Sequence, residues 1–558
     1  MITTFKYNSY WDYETMTGKL KELKALYPEV ISIESLGKTK EDKSVWAVTL
    51  SKGDKDPKDK PAFYIDGNIH AGEVTGSMCA MYVIDALCTG NEEEDIDYLL
   101  NNYTYYILPK LTPDGSDYYL HTANKLRSVN KVYPEEAKKG LVAKDMDGDG
   151  VIRLMRFKSG QGAWKISKEN PRLMEGRLPQ DTKGPFYHVV TEGEVKGDFS
   201  LGLITNKSPW GYDFNRNFPF GWYDEKRQPG SGEYPLVHEE TKLMANFILS
   251  HPNIGFVNAL HTSGGVFIYP PGTYSASDAH QKDMEIFKRM GAYAKECTGY
   301  NTENIFDAFL ADTKNYSSGA FDDWCYESQG IPAFTIELWD AVIRSGVSYD
   351  DYRKSMKPSF ENIKIYEKQL KWVEENCGPE SFKDWEVFNH PQLGEVEIGG
   401  FDFKFTLQNP PESLLLQEVE KVGKYLVDSA ACLPKLVVED TKAVEMGQGL
   451  YKISVTVSNS GYLPTYLTEK ARESGKAQPI KASILGEVEC IGEKELEADF
   501  LAGFGGITTG YGYDGISSGG TLSPVQVFDW YVKAKAGDKV QIEIVQEKAG
   551  KESVSLVL

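Results

Sequence analysis

Three apolar runs in this 558-residue chain end in side chains that can bind a metal or move a proton. The first is Phe63-Tyr-Ile-Asp-Gly-Asn-Ile-His70-Ala-Gly-Glu73, where the apolar residues stop at Gly67 and a His and a Glu follow three residues apart. Residues i and i+3 share a face once a helical turn begins. Imidazole nitrogen and carboxylate oxygen both suit zinc, and a catalytic zinc takes a third protein ligand and leaves a position for water. A bare His-x-x-Glu also occurs by chance on many surfaces, so its company decides its meaning. The second run, Ile254–Leu260, leads straight into His261 and then Thr-Ser-Gly-Gly. The third, Pro332-Ala-Phe-Thr-Ile-Glu337, ends in a carboxylate, which is costly in an apolar strand unless it is paired or wet.

Further polar groups lie between these runs. Leu111-Thr-Pro-Asp-Gly115 has the composition of a turn, and Lys125 and Arg127 follow it. Trp210-Gly-Tyr-Asp-Phe-Asn215-Arg216-Asn217-Phe218 is dense in polar side chains between aromatics. A fork-shaped Arg beside an Asn can hold a carboxylate through paired charge-assisted hydrogen bonds; a structural turn is the other reading. Asp145, Asp147 and Asp149, followed by Gly150, match the first half of a calcium loop. The twelfth position of such a loop is Arg156, not Glu, so the EF-hand is incomplete, and calcium and a plain acidic turn both stay open. Calcium would stiffen the insertion of about 133–208, where helical and strand rhythm weaken and no separate core is apparent.

The elements that must position these groups alternate. Helical spacing covers 13–27, 74–87, 235–250, 279–294 and a short 320–328; strands are expected at 30–36, 45–50, 62–65 and 103–109, beside the runs into His261 and Glu337. Such alternation indicates an α/β sheet, whose ligands gather beyond the C-terminal ends of strands. The amphipathic stretch 349–375 is expected to close that sheet on one face. After about 430 the pattern changes. Tyr451-Lys-Ile-Ser-Val-Thr-Val alternates with period two, further runs occur at 480–485, 525–534 and 540–545, and Gly-rich turns lie at 503–512 and 515–520. The reading is an all-β sandwich over 431–558 after an α/β domain over 1–430. No catalytic constellation is visible in the sandwich, and packing on its neighbour is its default role.

A net charge of −21 argues against nucleic acid and anionic membrane as partners. No run reaches the roughly 18 apolar residues of a membrane span. Met1-Ile-Thr-Thr-Phe-Lys-Tyr carries no basic-then-apolar signal segment; a processed chain would look the same, so cytoplasmic and secreted locations are both open. Cysteines 79, 88, 297, 325, 377, 432 and 490 are odd in number and widely spaced, without Cys-x-x-Cys. They read as reduced thiols, so a metal must rest on His and carboxylates.

In order along the chain stand His70-x-x-Glu73, the Thr-Pro-Asp-Gly turn upstream of Arg127, Asp-x-Asn-Arg-Asn-Phe, the strand into His261, and Tyr316…Asp323-Trp324…Thr335-Ile-Glu337. Together they resemble the zinc carboxypeptidase A-like metallopeptidases, from about residue 7 to the mid-370s and at most to about 430. The resemblance implies a mixed twisted β-sheet flanked by helices and removal of one residue from the C-terminus of a peptide substrate. It implies that His70, Glu73 and His261 hold one zinc ion, that Glu337 is the general base, and that Arg127 stabilises the oxyanion. Asn215, Arg216 and Tyr316 would grip the substrate's terminal carboxylate. Asp322, two residues before Trp324, would floor the pocket for the terminal side chain and favour Lys or Arg. The chemistry is coherent on its own: zinc lowers the pKa of its water towards roughly 7, and an Arg aimed at developing charge is worth about 3–4 kcal/mol on the scale of one oxyanion donor. Two departures stand out. Ala71 and Gly72 occupy the turn where the animal digestive enzymes carry Arg, and the stretch from Glu73 to His261 is lengthened by the insertion. Two alternatives are an amidase on cell-wall-type or isopeptide-linked peptides and a catalytically silent binding protein; retention of all three ligands and Glu337 argues against the latter. Oligomeric state is not legible.

Overall fold

The computed structural model describes residues 1–131, 140–197, 210–310, 316–355, 362–506, 508–512, 515–519 and 522–558. Its centre is an eight-stranded sheet in the order Ile31–Lys38, Ser44–Leu50, Thr104–Leu108, Ala62–Gly67, Ile254–Thr262, Ala333–Leu338, Val266–Tyr269, Asn301–Asn304. The four central strands run parallel, with antiparallel pairs towards both sides. Every residue of 62–67, 104–108 and 254–262 is buried, as expected for strands covered on both faces. Parallel pairing places Gly67 beside Leu260 and His261 beside Glu337, so the three apolar runs end at one edge of the sheet.

The helix Val74–Thr89 crosses these strand ends and is buried almost throughout. It can do so because two side chains are missing. A Cβ on Gly76 would lie 2.7 Å from the Leu260 carbonyl oxygen, and one on Gly67 would lie 2.8 Å from the Gly76 backbone. This close approach delivers Glu73, at the helix start, to the strand that carries His261. The helix Glu412–Asp428 packs on it and on Gln281–Thr298. The stretch 349–375 covers the sheet only through Tyr349 and Tyr352, which pack with Val266 and Ile268. It forms helices Tyr349–Ser355 and Ile363–Asn376, and the second buries Leu370 against Leu173 and Phe382, and Val373 near Trp339 and Cys377, outside the main core. The covering role falls to 412–428, whose Leu415, Val419, Val422 and Leu426 join that core.

The insertion has a core, contrary to expectation. Strands Leu154–Lys158, Trp164–Ile166, Met174–Gly176 and Tyr187–Thr191 join the distant hairpin Phe382–His390 and Gly394–Phe401 in a six-stranded sheet. Leu141, Met155, Val190, Val195, Val396 and Ile398 fill it. Two of these six come from beyond residue 380 and the other four from strands of four or five residues, so no local rhythm announced the core. The ends of the insertion, 132–139 and 198–209, lie outside the described residues.

Apart from the short helix Glu469–Glu473 and a single turn at Phe504–Gly506, the C-terminal region is built of β-strands. Two four-stranded antiparallel sheets enclose Ile453, Val455, Ile484, Phe528, Trp530 and Ile542. It is docked tightly: Leu463 and Leu467 belong to the core of the preceding α/β fold, and Lys548 Nζ donates to the Pro252 and Ile254 carbonyls at 2.6 and 3.0 Å. All seven cysteines are free. Among the described residues no helix is long and apolar enough to cross a membrane.

Candidate active site

The turn between His70 and Glu73 is pinned from three sides. The Glu73 amide donates to the His70 carbonyl at 3.0 Å, and the Ala71 amide to the Arg127 carbonyl at 2.8 Å. Asn68, held at a left-handed φ of 67°, donates from Nδ2 to the carbonyls of His70 and Ala71 at 2.9 and 3.1 Å. The Thr112 hydroxyl donates to the Asn68 carbonyl at 2.5 Å. Thr112 opens a helix, Pro113–His121, where the composition suggested only a turn; Pro113 at the first helical position and Asp114 in the first turn start it.

Ligand atoms of His70, Glu73 and His261 lie within 4.8 Å of one another, all buried. Nδ1 of His70 is 2.9 Å from Glu73 Oε1, Nδ1 of His261 is 3.0 Å from Glu73 Oε2, and the two Nδ1 atoms are 3.1 Å apart. The other ring nitrogen of His70 meets Asp213 Oδ1 at 3.1 Å. A carboxylate only accepts, so a metal on Nδ1 would leave the ring proton on Nε2, donated to Asp213. Two imidazole nitrogens and one carboxylate, with a carboxylate behind one imidazole, form the donor set of a catalytic zinc, and the residues fit that ion. Burial works against the charge on Glu73, but the two imidazoles outweigh it and hold the carboxyl below its usual range.

Asp213 was missed by the sequence reading. It ties the metal-ligand side to Arg127, whose Nε donates to Asp213 Oδ2 at 2.9 Å and whose Nη1 donates to Glu73 Oε1 at 3.2 Å. Burial opposes the Asp213 charge too; Arg127, Arg216 and His70 overcome it and hold the carboxyl well down. The available signal was its place two residues before Asn215, inside the polar stretch.

A cavity of about 320 Å³ opens on this cluster. Arg127, Asn215, Arg216, Asp322 and Glu337 all line it with the three ligands. Glu337 faces it from the strand next to His261, and Gly264 leaves the room beside it. Burial pushes the Glu337 carboxyl up to about 8; His261 and Arg127 pull down, while Glu73 and Asp322 add to the rise. Asn215 spends its carbonyl oxygen on the Phe321 amide at 2.8 Å. Asp322 accepts from the Thr335 hydroxyl at 2.9 Å and from the Asp323 amide at 3.0 Å. Tyr316 is not brought in: its hydroxyl lies 3.5 Å from that of Tyr223, under the Arg227 guanidinium, and it does not line the cavity. At Gly72 a Cβ would meet Tyr119 at 2.9 Å and Gln408 at 3.1 Å, so the digestive-enzyme Arg has no space here.

The other acidic cluster is also assembled. Carboxylate oxygens of Asp145, Asp147 and Asp149 lie within 4.8 Å of one another. Lys383 Nζ stands against two of them, 2.7 Å from Asp147 and 3.2 Å from Asp149.

A His-Glu-His cluster at the strand ends of a mixed sheet is a candidate metal centre. A family model for zinc carboxypeptidases matches residues 16–364, and the chain belongs to that family. A second model, described as a domain of unknown function, matches 435–557. Rat (Rattus norvegicus) carboxypeptidase B is 24% identical over 346 residues, 60% of this chain and 64% of that protein. Zinc carboxypeptidase A 1 of Drosophila melanogaster is 33% identical over 126 residues, 22% of this chain and 29% of the relative. The matches thus span less than two thirds of these relatives' length. Among solved structures, thrombin activatable fibrinolysis inhibitor shares 15% identity with a TM-score of 0.43, covering 76% of this chain and 74% of its own.

Proposed function

We propose that the protein is a zinc-dependent metallocarboxypeptidase that removes single residues from peptide C-termini. The observation that carries this reading is the convergence of His70, Glu73 and His261 on one point, with Glu337 and Arg127 lining the same cavity. Zinc, when bound by the three ligands, supplies a Lewis acid and an acidified water. Glu337 accepts the proton of the attacking water and returns it to the leaving amine; a carboxyl raised by burial suits both steps. Arg127, fixed by Asp213, directs its guanidinium to the developing oxyanion. Arg216, with Asn215, takes the free carboxylate, and an internal peptide bond offers no such group. Tyr316 reaches the substrate only after leaving Tyr223.

We propose in addition a preference for C-terminal Lys or Arg, which the acidic lining of the pocket supports. Asp322 and Asp323 line the cavity, and Asp66 lies behind. Burial, reinforced by the Asp322 charge, pushes Asp66 and Asp323 well up. A cationic side chain entering there relieves that repulsion. Calcium at Asp145, Asp147 and Asp149 remains a separate proposal, and it requires the ion to displace the Lys383 ammonium.

The test is a mixed peptide library read by mass spectrometry, together with metal content. Single-residue ladders that vanish with a chelator and return with zinc, and one zinc per chain, are expected. Peptides left whole by a zinc-loaded protein overturn the reading. Hydrolysis of C-terminal Lys or Arg no faster than of Phe or Leu overturns the basic preference alone.

A further inference from the structure

The helical segment that carries the pocket carboxylates is held from outside its own domain. Asp322 and Asp323 lie in the turn Phe321–Asp323, which runs directly into the wider turn Trp324–Ser328 and then, past Gly330, into the Glu337 strand. That wider turn packs against the short helix Glu469–Glu473, which belongs to the C-terminal region. Lys470 Nζ lies 3.1 Å from Glu327 Oε2, and the Glu327 side chain is only 6% exposed. The Thr468 hydroxyl donates to the Gly330 carbonyl at 2.7 Å. Gly330 has a φ of 69°, and a Cβ there would fall 2.4 Å from the Ala471 Cβ and 2.5 Å from its Cα, so the two backbones are in direct contact. Asp283, on the helix Gln281–Thr298, closes the set: it accepts from the Glu469 and Lys470 amides at 2.7 and 3.1 Å and from the Tyr326 hydroxyl at 2.9 Å.

The contact continues to the cavity. The other oxygen of Glu327 accepts from the Tyr274 hydroxyl at 2.7 Å. Two residues earlier, the Gly272 amide donates to Asp323 Oδ1 at 2.8 Å. Lys470, Glu327 and the 272–274 loop therefore form one chain of contacts that ends on a carboxylate lining the cavity.

We propose that the C-terminal region braces the substrate pocket, and that Lys470 is a positioning residue for the terminal side chain of the peptide. The inference rests on the carboxypeptidase reading. Loss of the brace lets the Asp322–Asp323 turn shift, while His70, Glu73, His261 and Glu337, held by the sheet, stay in place. Displacements of order 1 Å at a positioning group cost up to about 100-fold in rate, and here they fall on binding of the terminal residue.

The test compares the full chain with Lys470→Met, Lys470→Arg and Thr468→Val, using peptides ending in the residue the unaltered enzyme removes best. For Lys470→Met, KM rises about five- to tenfold with kcat within about twofold, and discrimination between C-terminal residues narrows. Zinc content stays at one per chain, and Lys470→Arg, which keeps the ion pair, restores KM. Hydrogen exchange of 321–331 speeds up in Lys470→Met and Thr468→Val while that of 254–262 does not. Unchanged KM and unchanged exchange at 321–331 overturn the brace, as does a fall in melting temperature with kinetics and discrimination intact. If the unaltered protein cleaves no peptide, the carboxypeptidase reading fails, and the exchange data still decide whether the brace exists.

Discussion

Two triads in this molecule meet the same geometric condition, and they differ in everything around it. His70, Glu73 and His261 come from two strand ends and a helix start, are buried, and have Asp213 and Arg127 behind them. Asp145, Asp147 and Asp149 come from one loop and stay partly exposed. Their oxygens already accept loop amides: Asp145 from Gly148 and Gly150, Asp147 from Asp149, Asp149 from Val151. Lys383 supplies a positive charge. Gathered ligand atoms are therefore weak evidence of an ion by themselves. The first triad gathers two imidazole nitrogens and a carboxylate around one point with Asp213 behind one imidazole, whereas the second is largely satisfied without an ion.

The largest effect that sharpens this contrast is at the first triad. His261→Ala removes a ligand, so zinc content falls to background and peptide hydrolysis is lost, as metal analysis and assay will read; an active zinc-free variant breaks the contrast. Glu337→Gln keeps the zinc and lowers kcat by about 10³-fold, within the range for a general base. Asp213→Asn comes next. It keeps the shape but no longer holds the His70 proton on Nε2 by charge, and zinc affinity falls about 10- to 100-fold, measured by competition with a chelator. Asp147→Asn, by contrast, leaves zinc content and kcat unchanged; if it cost either, the two triads would not be independent.

How much of this was legible depends on distance along the chain. That His70, Glu73, His261 and Glu337 come together was readable because each follows an apolar run, and parallel pairing brings such run ends to one edge. Asp213 was not, because its role is second-hand: it touches His70 and Arg127 from another segment, and nothing in Asp-Phe-Asn-Arg marks which polar group faces inward. Tyr316 carried the family motif, yet its position here depends on Tyr223 and Arg227, which no motif includes. The insertion looked coreless because its sheet is completed by residues 382–401. The stretch 349–375 looked like a sheet cover along its whole length because amphipathicity says that a face is buried, not against what; only Tyr349 and Tyr352 reach a sheet strand, and the longer helix packs elsewhere. Gly67 and Gly76 read as ordinary small residues until their contact distances showed what they permit.

The smallest effect concerns the second triad, and it separates two cations. Lys383, Asp147 and Asp149 all keep some solvent exposure, so the pairing is worth at most about 1 kcal/mol. Burial raises the Asp149 carboxyl, but the Val151 amide and Lys383 outweigh it and hold it below its usual value. The sign follows: this contribution is complete above the unfolded value of about 3.9 and fades as pH falls through the lower folded value. Lys383→Gln should therefore lower the melting temperature slightly at neutral pH and less so in acid. Calcium acts on another scale, since an ion at 100 times its dissociation constant adds about 2.7 kcal/mol. If calcium is the working cation, millimolar calcium raises the melting temperature of the unaltered chain by more than Lys383→Gln lowers it, and Lys383→Gln binds calcium more tightly because the competing ammonium is gone. If Lys383 is the working cation, calcium changes nothing in the unaltered chain. Scanning calorimetry of both proteins with and without calcium reads the difference directly.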